Sequence, residues 1–138
     1  MTVAEDEDGP AIPPVIVLGT GGHAAVLIEA LQQTGRVVLG CLSPGGATGD
    51  AGPLGTEILG DDTLLVRYQP GALALVNGVG STDTAQAPGG LVRHHLHRTW
   101  HRRSFVFASV IHPAATIAAG CELAAGVQVM AGAVVQTG

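Results

Sequence analysis

Aromatic side chains are scarce in this chain of 138 residues: one Trp, one Tyr and two Phe, 3% in all. That shortage excludes a thick aromatic core and favours tight turns and thin coils, which the 21 glycines also suit. Charged residues make up only 12%, and no basic run extends along the chain, which argues against nucleic-acid binding. No stretch is apolar for long enough to cross a membrane. The acidic start, Glu5, Asp6, Glu7 and Asp8, is unlike the basic start of a secretory signal and reads as a solvated, disordered tail over 1–13. The two cysteines, Cys41 and Cys121, stand in unrelated elements without metal-ligand spacing. Both are expected as buried, reduced thiols of a cytoplasmic protein.

What the chain does have is a strict six-residue period near its end. Ile117, Leu123, Val129 and Val135 recur on that period, as do Gly120, Gly126, Gly132 and Gly138. A small slot between them holds Cys121, Val127 and Ala133. Six is the period of neither a helix nor a plain strand. It marks a parallel β-helix, in which each hexad forms one flat side and its corner. The branched apolar residue should point into the coil beside the small one, and glycine should permit the corner. Val129 and Val135 are expected to face an open end, because solenoid repeats bury their core against neighbours. The pattern is still running at Gly138, so the expectation is a fragment or a cut-short product.

Upstream, the pattern is α/β. Val15-Ile16-Val17-Leu18 and Val37 to Leu42 are continuous apolar runs that suit strands buried on both faces. Between them, Ala24 to Thr34 reads as a helix with Val26, Leu27, Ala30 and Leu31 on one side and Gly35 as its stop. Glu57 to Gly60 reads as extended, and Asp61 or Asp62 as the cap of a helix over 63–68. Ala72 to Val76 and Phe105 to Phe107 are further extended segments. Leu91 to Arg103 is a helix whose cluster Arg93, His94, His95, His97, Arg98, His101, Arg102 and Arg103 reads as a solvated face. The expected fold class is α/β: a small Rossmann-like parallel sheet domain over 14–108, then the start of a parallel β-helix over 109–138.

Gly19-Thr20-Gly21-Gly22-His23 turns from the first strand into the first helix. Glycines there allow a close approach, and the helix start offers free N–H groups to an anion, so a phosphate or pyrophosphate is the natural guest. His23 is placed to donate to it. A dinucleotide fits less well. Ala24 stands at the third glycine position, and no acid follows the second strand before Asp50.

Taken together, these segments resemble the N-terminal part of sugar O- and N-acyltransferases of the sialic acid O-acetyltransferase type. The resemblance is carried by Val15 to His23, by Ile58-Leu59-Gly60-Asp61-Asp62, by Val76 to Ser81, by Ile111 to Ala115, and by the hexads. It implies that the α/β domain holds the nucleotide of a UDP-linked amino sugar, and that a left-handed β-helix assembles as a homotrimer. It also implies acetyl-CoA as the acyl donor, bound between neighbouring coils. By position, Gly19, Thr20, Gly21, Gly22 and His23 would meet the pyrophosphate. Gly80 and Ser81 would border the same cleft, and Ser43 would lie near the base. Leu42-Ser43 lacks the acids that relatives carry there. The family's base, a histidine followed by an acid, is expected about one coil after these hexads, and the chain is expected to be inactive as it stands. His112, at the Ile111-His112-Pro113 entry to the hexads, is expected to be structural. Two other functions fit the residues less fully: a non-catalytic nucleotide-sugar module, and a NAD-dependent oxidoreductase.

Overall fold

The run Val15–Leu18 forms strand β1, and all four residues are buried. Alternate side chains of a strand point to opposite faces, so a run without polar residues needs cover on both. It has it. Val15 and Val17 pack with Ala24, Leu27, Ile28 and Leu31, while Ile16 and Leu18 pack with Leu65, Leu75, Trp100 and Phe107. A computed structural model describes residues 12–80 and 89–138. Residues 1–11 of the expected tail, Ser81 and the loop up to residue 88 lie outside the described residues.

Helix α1 runs over Gly22–Gln33. Its buried face is Ala24, Leu27, Ile28, Ala30 and Leu31, which includes the expected Leu27, Ala30 and Leu31 but not Val26, which is 45% exposed. The spacing 24, 27, 28, 31 follows one side of a 3.6-residue helix and leaves position 26 outside it. Gly35 does end the helix, with φ +73°. The Gly35 N–H donates to Gln32 O and the Arg36 N–H to Leu31 O, the paired bonds of a Schellman cap.

Strand β2 is Val38–Leu42, and only its second half is buried on both faces. Val37 and Leu39 are 62% and 41% exposed. Strand β3 is Ile58–Gly60. A 3₁₀ helix over Asp62–Arg67 replaces the expected helix over 63–68, and Asp61 caps it by accepting from the Thr63 N–H. Strand β4 is Ala74–Asn77, helix α2 is Gly89–Arg102 and strand β5 is Val106–Phe107. The five strands form one parallel sheet in the order β3-β2-β1-β4-β5. The chain moves outward from β1 to β3, then crosses back to β4. The order reverses beside β1, where open α/β sheets present a crevice at their carboxyl ends.

The hexads follow as pairs of two-residue strands: β6 (Val110–Ile111), β7 (Thr116–Ile117), β8 (Gln128–Val129) and β9 (Val134–Val135). Strand β6 pairs parallel with β8, and β7 with β9. Val110 lies opposite Gln128 and Thr116 opposite Val134, eighteen residues on in each case, or three hexads per turn. Gly120, Gly126 and Gly132 take φ of +85°, +81° and +74°, the left-handed corner expected of them. Two expectations are corrected. Val129 does not face an open end: it is only 6% exposed, in register with Ile111. Cys121 is half-buried rather than buried, with Sγ 3.3 Å from Gln136 O, because its slot lies at the coil rim.

Candidate functional site

The crevice at the carboxyl ends of β1 and β4 is shaped by two glycines. Gly19 has φ +101°, and a Cβ there would lie 3.1 Å from Gly78 O. A Cβ on Gly78 would lie 2.7 Å from Leu18 O and 2.9 Å from the Ala24 Cβ. The loops after β1 and β4 therefore cross at backbone contact, and the Gly78 N–H donates to Leu18 O at 2.8 Å. Gly21 and Gly22 differ: a Cβ on either would meet nothing within 4 Å. Their absent side chains leave open space at the start of α1. Gly21 is the N-cap, no side chain caps the helix, and its first turn holds no acid. The first-turn N–H groups have no partners within a helix and carry the positive end of the helix dipole.

A small cleft of about 110 Å³ brings Gly19 and Ser43 together, with Asp62 on its edge and Val79, Val92 and Leu96 as apolar walls. Of the residues expected at the site, Gly19 and Ser43 line this cleft at the carboxyl ends of β1 and β2, while Thr20, Gly21 and Gly22 follow Gly19 in the turn into α1 and are not among its lining. A Cβ on Gly80 would be 3.7 Å from that of His23, so these two are neighbours. Ser81 lies outside the described residues.

His23 turns toward the hexads, where its Nε2 lies 2.9 Å from Gln128 Oε1. That contact belongs to a polar cluster the sequence did not reveal. Asn77 is 5% exposed. Its Nδ2 donates to Arg93 O at 2.8 Å, and its Oδ1 accepts from the Val79 N–H at 3.3 Å. Arg93 Nη1 donates to Asn77 O at 2.9 Å and to Val79 O at 2.7 Å, and Nη2 donates to Gln128 Oε1 at 3.0 Å. Gln128 Nε2 donates to Asn77 O at 2.9 Å. Burial pulls the Arg93 guanidinium below its ordinary value, but an arginine starts so high that it stays a cation. The reading of α2's basic cluster as wholly solvated is therefore corrected at Arg93, which faces inward because β4's loop carbonyls need donors.

Two adjoining clefts flank the cluster and share Arg93, Gly126 and Gln128. One, of about 270 Å³, adds His94, His97 and Phe107; the other, of about 360 Å³, adds His23 and Met130. His97 lies against the Phe107 ring at 4.3 Å between centroids. Its pKa is lowered, first by burial and then by the nearby His101, His94 and Arg93.

Other polar residues are committed elsewhere. His112 is buried, its Nδ1 accepts from the Ala114 N–H at 3.0 Å, and its Nε2 lies 2.9 Å from Glu29 Oε2. A main-chain N–H only donates, so the neutral ring carries its proton on Nε2 and gives it to Glu29. This ties the coil entry to α1, as expected of a structural residue. Asp62 accepts from Trp100 Nε1 at 3.1 Å. Among the described residues, no group of three or more His, Cys, Asp or Glu could hold a metal ion, and no helix is long and apolar enough to cross a membrane.

No protein-family model matches the sequence, and no curated protein matches it either. Solved structures do. A variant of perosamine N-acetyltransferase from Caulobacter crescentus, in complex with CoA and GDP-perosamine, is 30% identical with a TM-score of 0.75. The match covers 91% of this chain and 55% of that one. PerB from the same bacterium, in complex with CoA and GDP-perosamine, is 31% identical with a TM-score of 0.74, again over 91% and 55%. The acetyltransferase domain of PglB from Neisseria gonorrhoeae, in complex with acetyl coenzyme A, is 24% identical with a TM-score of 0.74, over 89% and 55%, and shows the shared fold alone. The chain thus spans about half the length of these neighbours.

Proposed function

We propose that this chain forms the substrate-binding part of an acetyl-CoA-dependent acyltransferase acting on a nucleotide-linked amino sugar. One observation carries the reading. The uncapped, glycine-flanked start of α1 lies at the reversal point of a parallel sheet, with an eighteen-residue coil packed beside it. The bound molecules of the neighbours at 30% and 31% identity, CoA and GDP-perosamine, support it.

In this reading residues 14–108 form a Rossmann-like domain and 109–138 belong to a left-handed parallel β-helix. The Gly21 and Gly22 backbone receives the pyrophosphate, because free N–H groups at a helix start bind anions and no side chain stands in the way. Gly19 and Thr20 form the turn, Ser43 borders the base, and Gly80 borders the same cleft as the pyrophosphate. In the reaction the sugar amine attacks the thioester carbonyl of acetyl-CoA. The carbon–sulfur bond breaks and CoA leaves as its thiolate, an amide forms, and the amine proton passes through a base to that thiolate. That base is expected on a coil after these hexads; His112 cannot serve, being buried and bonded to Glu29. The acyl donor would lie between coils of a homotrimer.

Calorimetric titration with UDP, GDP and NAD tests this. Binding of either nucleoside diphosphate, stronger than NAD, is expected, and the same titration decides the base. Gly22→Asp should weaken the diphosphate by about tenfold or more, because a carboxylate then occupies the anion's place while still suiting the helix dipole. Binding of NAD in preference to both diphosphates would overturn the reading.

A further inference from the structure

Gln128 stands where three polar groups meet. Its Oε1 lies 3.0 Å from Arg93 Nη2 and 2.9 Å from His23 Nε2, and its Nε2 lies 2.9 Å from Asn77 O. A guanidinium has only donors, and a main-chain carbonyl only accepts. Both contacts orient the amide the same way, with oxygen toward Arg93 and nitrogen toward Asn77. Turned over, it would set N–H against N–H on one side and oxygen against oxygen on the other.

The amide orientation then dictates the histidine. An amide oxygen only accepts, so the 2.9 Å contact to His23 is a hydrogen bond only when the ring proton is on Nε2. A neutral imidazole has one N–H. With that proton given to Gln128, Nδ1 is left with a lone pair, and among the described residues no hydrogen bond reaches it. His23 also lies immediately after the Gly21 and Gly22 backbone and lines the cleft of about 360 Å³ that continues toward Gly126 and Met130.

We propose that His23 meets its ligand as a hydrogen-bond acceptor through Nδ1, and therefore takes an O–H or N–H of the sugar rather than a phosphate oxygen. Gln128, backed by Arg93 and Asn77, is the positioning residue that locks this tautomer. The assignment rests on the nucleotide-sugar reading above, but its first half concerns the free protein. It gives His23 a different partner from the phosphate expected at the sequence level. It also explains why a residue of the coil reaches into the sheet domain: Gln128 sets which face of the imidazole chemistry the substrate sees.

Long-range proton–nitrogen NMR of the nitrogen-labelled chain at about pH 8.5, where an ordinary imidazole is neutral, reads the tautomer directly. His23 should show its proton on Nε2, and Gln128→Ala should give a mixture while the other histidines keep their signals. A proton on Nδ1 in the unaltered chain would sink the proposal, whatever binds. The second measurement uses His23→Gln, whose amide can reach the Nε2 position and leaves nothing at Nδ1. Each nucleoside diphosphate is compared with its 4-amino-sugar conjugate, GDP with GDP-perosamine and UDP with its counterpart. The conjugate should bind roughly three- to tenfold more weakly to the variant, with the bare diphosphate within about twofold. Equal loss for both would place His23 on phosphate and overturn the assignment. If the unaltered chain binds none of these probes, the nucleotide-sugar reading fails, and the tautomer measurement still decides the first half.

Discussion

The sheet and the hexad coil are both made of short parallel strands, yet they complete their cores in different ways. Every residue of Val15–Leu18 is buried, because α1 covers one face and the 3₁₀ helix with α2 covers the other. In the coil, Val129 is buried, while Ile117, Leu123 and Val135 on the same period stay half-buried. A sheet can be roofed by helices from its own crossovers. A coil is roofed only by the next turn of itself, so its burial varies from layer to layer. Glycine differs in the same way. Gly78 is required by a neighbouring backbone 2.7 Å from its absent Cβ, whereas Gly120, with open space around it, is required by its φ of +85°.

The largest test of this contrast is a matched pair of truncations. Leu75→Ala, at a fully buried site of the sheet, should cost about 2–5 kcal/mol in urea unfolding. Ile117→Ala in the coil should cost about 1 kcal/mol, in proportion to its partial burial. Equal losses would mean that the coil is packed as tightly as the sheet. Arg93→Met tests the joint between the two regions. It removes charge-assisted bonds to the Asn77 and Val79 carbonyls at the end of β4 and to Gln128, and should cost about 1.5–3 kcal/mol. Next come the glycines: Gly78→Ala should cost about 1–3 kcal/mol through overpacking, and Gly120→Ala about 1–2 kcal/mol through backbone conformation alone. If a bulkier side chain hurts no more than alanine at Gly78, steric contact is not the cause there.

The smallest effect concerns the thiols. Cys41 is buried within β2 in the core cluster shared with α1, and burial raises its pKa despite the Thr56 hydroxyl at 3.4 Å, which lowers it. An alkylating reagent should therefore label half-buried Cys121 first and reach Cys41 only on unfolding. The raised pKa has a signed consequence. The stability held by the neutral Cys41 thiol is fully present below the unfolded thiol value of about 8.5 and is lost as pH rises through the folded value. Cys41→Ala should flatten that alkaline decline in a series of unfolding curves, while Cys121→Ala should leave it unchanged.

Much of this fold is legible in the chain because it is written in local periods. The continuous run at Val15–Leu18, the helix stop at Gly35, the Asp61 cap and the glycine corners depend on neighbours within a few residues. The crevice glycines are legible too, since only a turn from strand to helix asks for Gly19, Gly21 and Gly22 together. The exposed side of α1 was misread at Val26 because adjacent apolar residues blur the edge of a helical stripe. Arg93 looks like every other cation on its helix, and Gln128 like any outward hexad residue. Asn77 left one faint signal, a polar residue closing an apolar strand.

By itself, then, the sequence determined the elements, their order and the glycine-flanked start of α1, since backbone preference and hydrophobic period act over short stretches. Which polar groups meet was decided only by the tertiary structure. His23 and Gln128 are 105 residues apart, and Asn77 and Gln128 are 51 apart. A buried donor is satisfied by whatever acceptor the packing of sheet on coil brings within about 3 Å, and no local pattern encodes that distance.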